Sequence, residues 1–65
     1  MKIAFYVVRE YLESKGYVLR ELWTPYRVFE KPNELPVMIE VEDKMVDHAQ
    51  FEKIKGKIER RERAD

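Results

Sequence analysis

The sequence predicts an α+β domain in the order α-β-β-β-α, a two-layer sandwich with two helices on one face of a three-stranded antiparallel sheet. Three observations carry this. Residues 4–15 set apolar side chains at helical spacing and stop at a glycine. Residues 17–42 hold three short segments of strand composition, separated by proline-bearing turns. Residues 47–58 open on a capping signature and continue as a second apolar helical stripe. The chain of 65 residues is one small domain, 1–65, whose last residues, about 60–65, are expected to fray because none is a large apolar anchor.

Ala4, Val8, Tyr11 and Leu12 recur at i, i+4, i+7 and i+8, one face of a helix. Arg9, Glu10, Glu13 and Ser14 fall on the other side. Gly16 stands where a glycine in the left-handed conformation ends a helix, and Lys15 suits the negative end of the dipole. The competing reading makes residues 3–8 a strand, because that run is rich in β-branched and aromatic side chains. The helix is preferred, since the amphipathic face and the terminator agree.

Residues 17–23 and 26–31 are strand candidates joined at Thr24-Pro25, where proline at the second turn position presets φ for a tight reversal. Pro32, Asn33 and Pro36 bracket the next loop. Residues 37–42 alternate cleanly: Val37, Ile39 and Val41 on one side, Met38, Glu40 and Glu42 on the other, as in a sheet with one buried face. Asp47 can cap the last helix, Gln50 three residues later completes a capping box, and Val46 can staple against Phe51. Phe51, Ile54 and Ile58 form its apolar stripe, with Gly56 off the stripe.

Composition narrows the function classes. A chain this short buries only about 60% of its unfolded surface, and with no cysteine it has neither disulfides nor a thiolate zinc site to help. Self-association would bury more apolar surface, so a homodimer is expected. The apolar run at residues 3–8 is too short for a signal-peptide core, and no stretch reaches the ~20 apolar residues of a membrane span; a cytoplasmic protein fits. Thirteen basic and thirteen acidic residues cancel, unlike the basic excess of a dedicated nucleic-acid binder. The middle, residues 30–47, is acidic, with two basic and six acidic groups, and both ends are mildly basic.

The helix ending Leu12-Glu13-Ser14-Lys15-Gly16-Tyr17, the strand opening at Val18-Leu19, and Val28-Phe29 with Pro32 behind a tight turn resemble the HicA-type mRNA interferase toxins. Phe51 and Ile54 match that family's final helix, and the resemblance covers about residues 5–58. It implies a fold similar to a small double-stranded-RNA-binding domain, RNA as substrate, and an antitoxin-like protein partner in a toxin–antitoxin system. The family's Gly-Ser-His turn is replaced by Thr24-Pro25-Tyr26. Metal-free RNA cleavage needs a base for the 2′-hydroxyl proton near neutral pH, which suits histidine; an ordinary tyrosine hydroxyl, near pKa 10, stays protonated. The replacement therefore points to a catalytically silent binding module that engages itself or a protein partner, with an RNA-binding protein or weak interferase as the alternative.

The remaining constellations are bland. His48 reads as an exposed first helical residue rather than as a metal ligand with Asp43 or Asp47. Glu40, Glu42, Asp43 and Asp47 read as a solvated strand face and a helix start rather than a cation site. No cofactor, metal or catalytic residue is assigned. Lys53, Lys55, Lys57, Arg60, Arg61 and Arg63 could track a nucleic-acid backbone with Arg27 and Lys31, but Glu52, Glu59 and Glu62 are interleaved, as on an ordinary helix surface. Trp23 and Tyr26 flank the turn and are the best contact candidates for a base or a partner protein. The candidate binding set is thus Trp23, Thr24, Tyr26, Arg27, Lys31, Lys53 and Lys57.

Overall fold

The computed structural model describes residues 1–64. Its elements are β1 (Lys2–Ala4), α1 (Phe5–Ser14), β2 (Val18–Trp23), β3 (Tyr26–Glu30), β4 (Val37–Glu40), β5 (Met45–Asp47) and α2 (His48–Ala64). The three central strands form an antiparallel sheet in the order β2-β3-β4, as the sequence predicts. Both helices and one face of this sheet enclose the core. Val8 and Leu12 come from α1, Phe29 and Ile39 from the sheet, and Phe51 and Ile58 from α2. Tyr11 stands edge-on to Phe51 with ring centroids 5.4 Å apart, its hydroxyl donates to Glu59 Oε2 at 3.1 Å, and Lys15 reaches Glu62 at 3.0 Å. The two helices are thereby laced side by side.

Gly16 ends α1 as its position predicts. Its φ is +93°, Gly16 N–H donates to the Glu13 carbonyl and Tyr17 N–H to the Leu12 carbonyl, each at 3.0 Å. This pair of bonds is the Schellman arrangement, which satisfies carbonyls left open at a helix end. It also delivers Tyr17 into the core.

Three features differ from the sequence reading. First, residues 2–4 belong to a strand and the helix begins at Phe5, so the strand reading holds for residues 3–4 and the preferred helix reading for residues 5–8. Lys2–Ala4 pairs antiparallel with Met45–Asp47, with Ile3 opposite Val46; this two-stranded ribbon is an addition to the expected order. It gives the helix start a partner that the sequence lacks: Ala4 has no capping side chain, and Phe5 N–H donates to the Lys44 carbonyl at 2.8 Å. Second, Asp47 does cap α2, accepting from Ala49 N–H at 2.9 Å, but Gln50 does not close a capping box. Its Oε1 instead accepts from Glu40 N–H at 2.9 Å, and its Nε2 donates to the Glu40 carbonyl at 3.3 Å. The side-chain amide pairs with β4 as a neighbouring strand would. Third, Pro25 occupies the third rather than the second position of the turn between the paired Trp23 and Tyr26, and its peptide bond is cis. α2 is described as far as Ala64, and Asp65 lies outside the described residues. Among the described residues, no helix is long and apolar enough to cross a membrane.

The ribbon is held by a turn the sequence does not advertise. Glu42 and Met45 exchange both backbone hydrogen bonds at 2.9 Å, and between them Asp43 and Lys44 have φ of 53° and 61°. Two successive positive φ values make a type I′ hairpin turn, which usually carries Asn-Gly or Asp-Gly. Lys44 occupies the glycine position at a conformational cost. Lys44→Gly is therefore expected to stabilise the protein by about 0.5–1 kcal/mol, read as a raised midpoint of thermal unfolding. An unchanged or lowered midpoint would refute this reading of the turn.

Candidate interaction face

Residues directly opposite one another in an antiparallel sheet share a face. The register therefore fixes what lies on each side. Leu19, Phe29, Arg27, Ile39 and Val37 face the helices, with Phe29 opposite both Leu19 and Val37, and Arg27 opposite Ile39. The other side is turned away from them. There Trp23 stands opposite Tyr26 and Tyr26 opposite Glu40; Glu21 stands opposite Val28 and Val28 opposite Met38; Val18 stands opposite Glu30.

This outer face is more apolar than a solvated sheet needs. Val28 is 7% exposed yet lies outside the core cluster. The register sets it on the outer side, between Glu21 and Met38. Around it Trp23 is 59%, Met38 52% and Tyr26 38% exposed. Trp23, Tyr26, Val28 and Met38 trace a diagonal from the hairpin-tip end of β2 to β4. Glu40 lies on one flank of that diagonal, and Glu21 and Glu30 lie on the other. The β2–β3 ladder shifts register between Leu19 and Glu21, a bulge that sets Arg20 beside Glu21.

The candidate residues separate into groups. Trp23, Thr24 and Tyr26 come together at the hairpin tip, with the two aromatic rings on the outer face. Arg27 lies on the opposite side, its guanidinium 5.9 Å from the Phe5 ring centroid and its Nη1 donating to the Tyr26 carbonyl at 3.2 Å. Lys31, beyond the far end of β3, sits 5.7 Å from the Tyr17 ring centroid. Lys53 and Lys57 are exposed on α2, in the helical layer. The aromatic pair and the four cations therefore do not form one surface.

The residues that complete the aromatic patch are Val28, Met38 and the three glutamates, which the sequence reading did not select. The signal available was Met38, an apolar side chain at an outward position of the alternating strand 37–42. Val28 gave none, because it neighbours Phe29 and an adjacent apolar pair does not reveal which member faces in.

Elsewhere the chemistry is structural. His48 is the first residue of α2, with its Nε2 3.6 Å from Glu52. Glu42 pairs with Lys2 at 3.3 Å, and Asp47 is occupied as the helix cap. Burial, the hydrogen bond to Glu59 and the charges of Glu59, Glu62 and Glu52 push the Tyr11 hydroxyl up to about 12, so it is no proton acceptor near neutral pH. An open cleft of about 240 Å³ lies between residues 35–38 and α2, with Tyr17, Ile54 and Ile58 along it and Lys57 and Arg61 at its rim. Arg61 is tied to Glu34 across this loop. In comparisons with known proteins, no family model matches the chain, and no curated protein or solved structure is significantly similar to it.

Proposed function

We propose that this chain is a small cytoplasmic binding module, without catalytic chemistry of its own, that engages a protein partner through the outer face of the β2-β3-β4 sheet. The observation that carries this is Val28, buried outside the core cluster on the sheet face where Trp23, Tyr26 and Met38 are exposed. A domain of this size gains little by leaving its one tryptophan in water, and contiguous apolar surface of this kind marks interaction sites. Tryptophan and tyrosine are also the side chains most enriched where interfaces draw their affinity. Tyr26 at the family's histidine position supports the silent reading of the resemblance to HicA-type toxins, under which the partner is an antitoxin-like protein.

RNA binding is the second reading. What favours it is a stripe of exposed cations, Lys53, Lys57 and Arg60, at i, i+4 and i+7 along α2. One experiment separates the two. A photoreactive phenylalanine analogue is placed at position 26, 38 or 57 and irradiated in cells. The protein-binding reading expects discrete protein adducts from positions 26 and 38, competed away by unlabelled protein, and none from 57. Nuclease-sensitive adducts from 57 alone would replace it with the RNA reading. No competed adduct from any position would refute both.

A further inference from the structure

The partner's chemistry follows from the flanks of the apolar diagonal. We propose that the outer sheet face receives an amphipathic helix of another protein, with its apolar ridge along Trp23, Tyr26, Val28 and Met38 and basic side chains on both flanks. The proposal rests on the outer face being the docking surface and adds what docks there. Glu40 stands on one side of the diagonal and Glu21 and Glu30 on the other, an acidic border on each side of an apolar row. Arg20 beside Glu21 offsets one of the three charges, leaving the face net negative. The diagonal crosses two strand spacings and one two-residue step, roughly 12 Å, which about eight residues of helix span. Helix-in-groove recognition reads such a row through apolar side chains at i, i+3, i+4 and i+7. Lysine or arginine beside those positions then meets the carboxylates.

A second copy fits less well. Stacking two outer faces brings the same three glutamates of each copy together, and like charge across an interface opposes binding. Pairing two β2 edges about a two-fold axis sets one residue opposite itself, because hydrogen-bonded and non-bonded pairs alternate along an antiparallel ladder. At the strand centre that residue is Arg20 or Glu21, again a like-charge pair. Nor does the basic α2 of another copy supply the ridge, since its apolar residues Phe51, Ile54 and Ile58 serve its own core.

The test uses two designed helical peptides that share one leucine ridge and carry either lysine or glutamate on both flanks. Fluorescence of Trp23 and amide chemical-shift mapping follow their titration into the full chain. The lysine peptide is expected to bind at least tenfold more tightly than the glutamate peptide at low salt, with shifts confined to the outer face. The gap should narrow as salt rises. The triple variant Glu21→Lys, Glu30→Lys, Glu40→Lys is expected to reverse the preference, and Glu21→Lys alone to reduce it, so one unstable variant leaves the test intact. Equal affinity for both peptides, or shifts centred on α2, would overturn the proposal. A dimer in sedimentation whose interface maps to the outer face would do the same. A photo-adduct from position 38 to a protein without a basic amphipathic helix would discard this proposal while leaving the binding role. Adducts from position 57 alone would discard both.

Discussion

Phe29→Ala is expected to cost about 3–5 kcal/mol, the range for removing a buried phenylalanine from a packed core. A domain of this length holds a total of only about 3–10 kcal/mol, so the variant should be largely unfolded at room temperature. Phe29 has no exposed surface. It lies on the middle strand, opposite Leu19 and Val37, with its ring centroid 6.2 Å from that of Phe5. It therefore touches the sheet and the start of α1 at once, and truncation opens a cavity where these layers meet. The adjacent residue supplies the contrast. Val28→Thr keeps the shape of the side chain on the opposite face, and its cost should stay near the ~1 kcal/mol of an ordinary substitution. If the outer face binds the partner, that variant folds and loses its photo-adducts. Urea unfolding followed by circular dichroism distinguishes the two. A Phe29→Ala midpoint close to that of Val28→Thr would mean the core is not centred on the inner face.

The contrast between these neighbours also marks what the sequence could reveal. The alternation over residues 37–42 identifies its buried side without help from the fold, because Glu40 and Glu42 alternate with Val37, Ile39 and Val41. Gly16 with the apolar spacing before it identifies a helix and its end. Both are local signals. The ribbon of β1 and β5 is not local: Ile3 pairs with Val46, 43 positions away, and the turn that leads into β5 uses Asp-Lys in place of the usual glycine. Gln50 shows the same limit. Its position satisfies a capping-box pattern, yet a strand edge ten residues earlier offers its amide both a donor and an acceptor, which the helix start does not.

For the candidate face, the facing aromatic pair is legible in the sequence, and so is the separation of Arg27 from it. Trp23 and Tyr26 flank a two-residue turn, so any hairpin pairs them. Arg27, one residue beyond Tyr26, must then face the other way, because successive side chains on a strand alternate. That inference was available from the sequence once the hairpin was accepted. Linking the pair to Met38 and Glu40 required the β3–β4 register, which the loop over residues 31–36 does not specify.

Gly16→Val should have the second largest effect among the substitutions considered. At φ of +93° an L-residue pays a backbone penalty of about 1–2 kcal/mol, and a β-branched side chain is a severe outlier there. The added Cβ would stand 3.3 Å from Lys31 Cε, the far part of a long side chain that can move aside. The cost therefore lies in the backbone, and it falls on the bonds that end α1 and bring Tyr17 into the core. A loss of at least about 2 kcal/mol is expected. Gly16→Asn should lose less than half as much, because asparagine tolerates positive φ. Repeating Gly16→Val in a Lys31→Ala background separates the causes, since strain in the chain persists and a side-chain clash would not. Recovery of stability in that background, or equal losses for valine and asparagine, would show that crowding against Lys31 rather than helix termination fixes glycine at this position.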